Sequence, residues 1–286
     1  MKRLYYLLIC SALLATGCEP ESRESLPDVT QNGTTVIRAD IESLLLGQDN
    51  RVWPEGAYVG VFGSESGTNE KYVLKQAGEG LASAEFYGPL VSGETIAAYY
   101  PWSDTFTGRA EAMPANLLPD QDYADTSAVA IFQQYCPAAY SCMKDRRMKF
   151  FYPFGMLRVT VELYDCLKVQ RITFTAAGSA VAGKGVILPD GSLRMEGGGA
   201  GTATLRCGNG IETIRGEAFT PFYMTLLPGV YPEANLVIYA EGEDPIVCRL
   251  DGISIPRIDA SEFKLASVGV KAGGPEGFIV NEQQFD

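Results

Sequence analysis

Short apolar segments separated by turn-forming residues recur along most of this chain. Residues 157–163 alternate between apolar and polar types without a break. A period of two places one row of side chains in a core and the other row in solvent, which is typical of a half-buried β-strand. Residues 36–42 show the same alternation, with Ile37, Ala39 and Ile41 on the apolar side. Since no segment has the period of an amphipathic helix over three turns or more, the sequence predicts an all-β fold.

The rest of the chain contains more segments of this kind, joined by residues that favour turns. Strands are predicted at 57–62, 95–100, 169–175, 222–227, 236–240, 246–250 and 266–271. Segments 186–188 and 193–195 are predicted to pair as a hairpin, because Asp190-Gly191 between them supplies the positive φ angles of a tight turn. Residues 109–128 show little periodicity, so a long loop is expected there.

The length of the chain favours two domains rather than one. Its 286 residues include 31 glycines and 16 prolines, and short strands joined by such turns are typical of β-sandwiches. A stretch of about 250 residues is long for a single sandwich. We therefore predict an N-terminal β-sandwich at 36–147, a C-terminal β-sandwich at 148–272 and a C-terminal tail at 273–286.

The N-terminus has the features of an export signal. Two basic residues, Lys2 and Arg3, precede the apolar stretch 4–15, which is shorter than the about 20 residues that a membrane-spanning helix needs. A short apolar stretch behind a basic start is typical of a signal peptide, which we predict at 1–17. Its removal would leave the exported chain more acidic, because the two positive charges leave with it.

Cys18 ends the sequence Ala-Thr-Gly-Cys directly behind this signal. Small residues before a cysteine resemble the lipobox of bacterial lipoproteins, in which the cysteine carries the lipid anchor. An ordinary secretory signal, cleaved near Ala12 or Ala15, is the alternative. The polar segment 18–35 is predicted to be a flexible tether. Its acidic start, 19–25, resembles the surface-export signal of Bacteroidetes lipoproteins. The alternative is that this segment is only a solvated linker.

Composition and failed motifs exclude several kinds of catalytic and binding site. The chain has no histidine and a formal net charge of −12, which excludes Ser-His-Asp units and disfavours a nucleic-acid partner. Residues 178–184 match the start of a phosphate-binding loop, but Gly185 stands where Ser or Thr should bind magnesium, and no helix follows. The glycine-rich segment 197–201 also lacks a following helix. We therefore predict no catalytic residue, no metal ligand and no cofactor.

The cysteines behind the tether have two possible states in an oxidising compartment. They are Cys136, Cys142, Cys166, Cys207 and Cys248. Cys136 and Cys142 are close enough in sequence to close a small loop as a disulfide, whereas the other three are predicted to be buried small hydrophobes. Because their number is odd, at least one thiol stays free.

Four aromatic residues leave two interpretations open: Trp53, Tyr99, Tyr100 and Trp102. If they are exposed and coplanar, with Trp102 among them, they form a platform on which a sugar stacks. If the first three are buried, they belong to the core of a scaffold, which is the commoner place for aromatics at strand spacing.

Five stretches, taken in order, are similar to the fimbrillin family of Bacteroidetes, which are subunits of type V pili and include Mfa-like proteins. They are Cys18 with its tether, the strand 36–46 with the polar loop 47–51, the run 53–62, the strand end 98–103, and the strand 151–161 followed by 169–172 and 222–229. The sequence departs from the family at Ala57, where Asp is frequent, and at Pro153, where His is frequent.

The resemblance implies two transthyretin-like β-sandwich domains in tandem and no enzyme activity. It implies a lipidated precursor at the outer membrane and cell surface, from which an arginine-specific protease removes the first strand. A strand of the next subunit then fills the groove by β-strand addition, forming a fimbrium. The expected partners are other pilus subunits or copies of the chain, the outer membrane through the lipid, and a surface ligand of unknown identity. A glycan-binding surface lipoprotein that does not polymerise is the alternative.

The candidate processing and donor sites follow from this scheme. Arg51, before Val52, lies in a polar loop of the kind that proteases cut, whereas Arg38 lies within a predicted strand. The alternative is that Arg51 is a solvated loop residue in an anchor subunit that stays uncut. The donor segment is expected in the C-terminal tail, where Phe278, Ile279 and Val280 are apolar.

Overall fold

The computed structural model describes residues 34–41, 53, 56–75, 83–123, 138–142, 145–162, 167–213, 220–257, 266–272 and 278–282. Within these ranges the chain forms strands and no helix, so the prediction of an all-β fold is confirmed. Accordingly, no helix in the described ranges is long and apolar enough to cross a membrane. The strands are β1 (Thr34–Ile41), β2 (Tyr58–Gly63), β3 (Glu70–Leu74), β4 (Ser83–Pro89), β5 (Thr95–Tyr99), β6 (Met113–Leu117), β7 (Asp120–Asp122), β8 (Ala138–Cys142), β9 (Arg147–Phe150), β10 (Gly155–Glu162), β11 (Lys168–Ala176), β12 (Gly183–Ile187), β13 (Leu193–Met195), β14 (Thr202–Glu212), β15 (Thr220–Leu226), β16 (Gly229–Ala240), β17 (Ile246–Ile255), β18 (Ala266–Ala272) and β19 (Phe278–Glu282).

Two sheets built mainly from the second half of the chain enclose a hydrophobic core. The four-stranded sheet has the order β15-β10-β18-β19, and the five-stranded sheet has the order β17-β16-β11-β14-β7. Leu157, Val159 and Phe222 from the first sheet pack in one buried cluster with Phe174 and Leu236 from the second. Two sheets that bury their facing sides against each other form a β-sandwich, as predicted.

The first sheet of the chain has seven strands in the order β8-β5-β2-β3-β4-β1-β9. One face of this sheet buries Val59, Phe86 and Ile96 in a second cluster. The opposite face, around Phe62 and Tyr99, is covered by a three-stranded sheet of order β13-β12-β6 in a third cluster. The sheet is therefore buried on both sides where these clusters meet it.

The predicted alternation is confirmed in β1 and β10. Ile37 and Ala39 of β1 are fully buried, and Arg38 between them is partly exposed. In β10, Leu157 and Val159 are buried around the partly exposed Arg158. Strand β1 ends at Ile41 in the described part of the chain, and residues 42–50 lie outside it.

The predicted hairpin is also confirmed. Ile187 of β12 pairs with Leu193 of β13, and Gly191 in the turn has a φ of 77°. The Asp190 carboxylate accepts hydrogen bonds from the Ser192 amide at 2.8 Å and the Ser192 hydroxyl at 2.6 Å. Because β12 begins directly after residues 178–182, the segment that resembles a phosphate-binding loop leads into a strand rather than a helix.

The prediction of a long loop at 109–128 is wrong for part of that stretch. Strand β6 lies there and pairs antiparallel with β12, and β7 pairs parallel with β14. Met113 and Leu117 of β6 are buried, but Pro114 and the small Ala115 weaken the local strand signal. Proline is tolerated because β6 is an edge strand of its sheet. Residues from both sides of the predicted boundary at 147 thus share sheets, including the seven-stranded sheet through β9. The division into two domains stays a prediction.

Candidate functional site

Strand β1 occupies an interior position of the seven-stranded sheet, with a neighbour on each side. It runs antiparallel to β4, from the pair Thr34↔Pro89 to the pair Asp40↔Ser83. On its other side it runs parallel to β9, which begins at Arg147. Both edges of β1 are therefore hydrogen-bonded, and the position of β1 between β4 and β9 is called the β1 slot below.

The floor of the β1 slot is aromatic and buried. Trp53 donates a hydrogen bond from Nε1 to the carbonyl oxygen of Ala39, at 3.2 Å. Its ring makes edge-on contacts with Phe86, Tyr100 and Phe150, at centroid distances of 4.7, 5.6 and 5.1 Å. Trp53 thus joins β1 to both neighbouring strands. Sequence reasoning left its role open between sugar platform and core.

Loss of β1 from the slot would uncover a well-defined groove. Phe86, Met148 and Phe150 of the neighbouring strands are fully buried while β1 is present. A replacement strand would have to run antiparallel to β4 and parallel to β9. It would also need a small side chain at the position of Ala39 and a larger one at that of Ile37, because the core is packed closely around both.

Strand β9, the second neighbour of β1, was missed by sequence reasoning. Its segment coincides with the predicted domain boundary at 147, yet Met148 and Phe150 alternate with the exposed Lys149. This short alternation is the signal that marks β9 as a strand. On the β9 side the backbone amide of Arg38 donates to the Arg146 carbonyl oxygen at 3.0 Å.

The predicted donor segment lies in β19, which pairs antiparallel with β18 of the same chain. The pairs are Phe278↔Ala272, Ile279↔Lys271 and Val280↔Val270. Strand β19 stands at the end of its sheet and has one strand neighbour there. The structure therefore places this segment and the β1 slot in different sheets.

The other predicted site residues lie outside the described residues. They are Cys18, Arg51, Val52 and Cys136. Trp53, two residues after Arg51 in sequence, is described and buried. For Cys142 the structure describes only the backbone, which pairs with Thr95.

Of the four aromatic residues, three belong to the core. Trp53, Tyr99 and Tyr100 are exposed by 4%, 2% and 3%, and Trp102 is half-buried against the third cluster. The hydroxyl of Tyr99 donates to the Asn69 Oδ1 atom at 3.1 Å. These four residues therefore do not form an exposed platform, and their burial is the outcome expected of a scaffold.

Cys207 and Cys248 are buried free thiols, as predicted. Burial raises the pKa of the Cys207 thiol to about 11 and raises that of Cys248 as well. Such thiols stay protonated and unreactive at neutral pH. In the described part of the chain, no group of three or more Cys, Asp or Glu side chains could hold a metal ion.

We expect a differential alkylation experiment to separate the cysteines. In native protein without reductant, Cys207 and Cys248 should react about 100-fold more slowly than an exposed thiol, because little thiolate forms and the core excludes the reagent. Both should react fully after unfolding. Peptide mapping by mass spectrometry measures each site.

The same peptide map tests the Cys136–Cys142 disulfide. A disulfide requires Cα atoms within about 7 Å, and its two cysteines should be labelled only after reduction. Labelling of both in unreduced protein would contradict the disulfide. Rapid labelling of native Cys207 would contradict the burial argument.

Comparison with known proteins gives structural matches only. No protein-family model matches the chain, and no curated protein matches its sequence. A candidate cell adhesion protein from Bacteroides ovatus matches 87% of this chain and 95% of its own, at 12% identity and a TM-score of 0.57. One from Bacteroides uniformis matches 90% of this chain and 98% of its own, at 12% identity and a TM-score of 0.55.

A third structural match has a lower TM-score. It is the tip fimbrial protein Mfa3 from Porphyromonas gingivalis, which matches 88% of this chain and 99% of its own, at 10% identity and a TM-score of 0.47. The two Bacteroides matches establish that this chain shares their β-sandwich fold over nearly its whole length. The resemblance found in the sequence motifs is thereby confirmed at the level of the fold.

Proposed function

We propose that the chain is a structural or adhesive subunit of a surface fimbrium, assembled by β-strand addition. The observation that carries this proposal is the β1 slot, an interior strand position lined by aromatic core residues. A slot with two hydrogen-bonding neighbours gives a replacement strand more backbone pairing than a sheet edge gives, because the β9 side adds a second ladder. The shared fold with Bacteroides candidate adhesion proteins supports the same function.

Processing at Arg51 would convert the precursor into an assembling subunit. Cleavage there separates β1 from the body of the chain, and the lipid on Cys18 leaves with the removed piece. Trp53 then loses its hydrogen-bond acceptor on Ala39, and the floor of the slot is exposed to water. Exposed apolar surface of this kind favours association with a strand from another copy.

The C-terminal segment is the proposed donor because its release breaks few backbone hydrogen bonds. Strand β19 has one neighbour strand, β18, so its release breaks one ladder of hydrogen bonds. Insertion into a β1 slot forms two ladders, with β4 and with β9. The gain in backbone pairing and apolar burial therefore favours transfer of β19 from its own sheet to a second copy.

Before processing, the chain would be held at the outer membrane by its lipid, in line with the lipobox at Cys18. The acidic body is repelled by anionic lipid headgroups, so membrane contact would come from the acyl chains alone. In this scheme the protein has no enzyme activity, because it works through strand exchange and surface contacts.

Treatment of the purified precursor with an arginine-specific protease tests the proposal. We expect a cut after Arg51, a new N-terminus at Val52, and a ladder of oligomers in gel filtration and native electrophoresis. Arg51→Lys is the matched control, because it keeps the charge but removes the cleavage site. It should stay a monomer with β1 still joined to the body, even where the tether is cut at Arg23. Arg38 should resist the protease, because its backbone is paired on both sides.

Two outcomes would contradict this function. An uncut precursor would indicate an anchor subunit that keeps its lipid and its first strand. A clean cut that leaves only monomers at high concentration would indicate that the slot accepts no donor, which favours the non-polymerising surface lipoprotein.

A further inference from the structure

An open groove of about 860 Å³ lies on the solvent-facing side of the five-stranded sheet, remote in sequence from the β1 slot. The side chains that matter for its chemistry are Asp120, Asp122, Arg171, Arg206, Tyr239 and Glu241. Its volume is in the range of small-molecule binding sites. The scheme of strand exchange makes no use of it, because β7, β11, β14 and β16 keep their neighbours throughout.

Irregular strand pairing creates the concave shape. Between the pairs Val169↔Ile211 and Arg171↔Arg206, strand β14 has more residues than β11, so β14 carries a bulge there. Gly208 in the bulge has a φ of 55°, which suits glycine better than residues with a Cβ. Bulges redirect side chains and open the end of a sheet. The bulge lies at one end of the groove, next to Gln170 and Arg171.

Strand register brings four side chains into one row across the groove. The row runs Asp122, Arg206, Arg171 and Tyr239, because each residue pairs with the next on the neighbouring strand. The Arg206 guanidinium forms an ion pair with Asp120 at 2.6 Å, which fixes its direction. The two arginines thus lie next to each other in the row, with Asp122 at one end and Tyr239 at the other.

The Arg171 guanidinium lies over the face of an aromatic ring. Its Cζ atom lies 3.9 Å from the ring centroid of Tyr239. It forms no ion pair with any residue that the structure describes. Stacking restricts the guanidinium plane while its N–H groups stay available at the edge. A ligand in the groove therefore meets an oriented set of unused donors.

The mixture of donors and acceptors selects the class of ligand. Donors come from Gln170, Arg171 and Arg206, and acceptors from Asp120, Asp122 and Glu241. An anion would meet the Asp122 carboxylate, beside two more that are paired with Arg206 and Lys168, on a chain of net charge −12. A cation would meet two guanidinium groups. An apolar ligand would contact only one aromatic ring of the groove lining, that of Tyr239. A hydroxyl group both donates and accepts, so it can use both kinds of neighbour.

We propose that this groove binds a neutral saccharide. Ring hydroxyls accept hydrogen bonds from Arg171 and Gln170 and donate to the Asp122 carboxylate. Tyr239, beneath the Arg171 guanidinium, holds these N–H donors in place. The chain would then contact glycans with one sheet while it exchanges strands through another.

A glycan array that carries neutral and sialylated saccharides tests the proposal with the full purified chain. We expect binding to neutral saccharides, and isothermal titration with the best of them measures the affinity. Arg171→Ala should weaken it about tenfold or more, the loss of one charge-assisted hydrogen bond. Gln170→Ala should also weaken it. Binding should change little between about 50 and 500 mM salt, since the ligand is uncharged.

Arg249→Ala is the matched control on the same sheet. Arg249 is an exposed arginine of β17 that pairs with Asp251 at 2.9 Å and does not line the groove, so its loss should leave the affinity within about twofold. Binding to no saccharide, binding to sialylated saccharides alone, or equal affinity of Arg171→Ala and the unchanged chain would overturn the proposal. Arg51→Lys should bind saccharide normally, so a failure here is distinct from a failure of strand exchange.

Discussion

Replacement of Trp53 by alanine is expected to lower the free energy of unfolding by about 3–5 kcal/mol, the range for loss of a large buried aromatic side chain. Trp53 contacts the rings of Phe86, Tyr100 and Phe150, and its Nε1 donates to Ala39 of β1. The substitution removes these contacts and leaves a cavity beneath the first strand. Denaturant titration followed by circular dichroism measures the change.

Two further variants separate the contribution of Trp53 packing from that of its hydrogen bond and from the cost of losing an exposed aromatic ring. Trp53→Phe keeps most of the packing but removes the hydrogen bond to Ala39, and it should cost about 1–3 kcal/mol. Tyr87→Ala is the control, because Tyr87 lies in the same sheet but is 42% exposed; its cost should stay within about 1 kcal/mol. Equal costs for Trp53→Ala and Tyr87→Ala would mean that Trp53 does not support the slot.

A chain shortened to residues 52–286 is expected to have a lower free energy of unfolding than the full chain. The loss should exceed the about 2–5 kcal/mol that a single core substitution costs. It lacks β1 and so loses Ile37 and Ala39 from the core, both fully buried, and the ladders to β4 and β9. It should bind a hydrophobic dye and unfold at a lower temperature. A synthetic peptide of residues 33–42 should bind to it and restore both properties.

The peptide offers its own control. With Ile37→Asp it should fail to bind, because an unpaired carboxylate would enter the core. The control distinguishes insertion into the slot from loose association through apolar surface. If the shortened chain were as stable as the full chain, or if both peptides restored it equally, β1 would not be an integral strand of the sheet.

Much of the fold follows from local sequence. Alternation in β1 and β10 identifies which side chains are buried, because a strand turns successive residues to opposite faces wherever it lies. Turn chemistry identifies the hairpin at Asp190-Gly191, since the φ angle of glycine is a local property. The burial of Cys207 and Cys248 also agrees with the intrinsic preference of cysteine for the core.

The same local rules fail where two distant segments decide the outcome. Strand β6 lies in a stretch that the sequence predicts to be a loop, because its own residues carry a weak strand signal. Its pairing with β12 supplies the hydrogen bonds that make it a strand. The parallel pairing of β1 with β9 joins segments more than a hundred residues apart. Any alternating strand can pair with many others, so sequence pattern cannot select the partner.

The sequence by itself thus determined the all-β class, the buried faces of the best strands, the absence of histidine chemistry and the likeness to fimbrillins, because each depends on residue type and short spacing. Only the tertiary structure decided that Trp53 lies in the core beneath β1, that β1 is an interior strand, and that Arg171 and Arg206 meet in a groove. Those features arise from sheet order and register. Order and register depend on how all strands pack together, and no single segment contains that information.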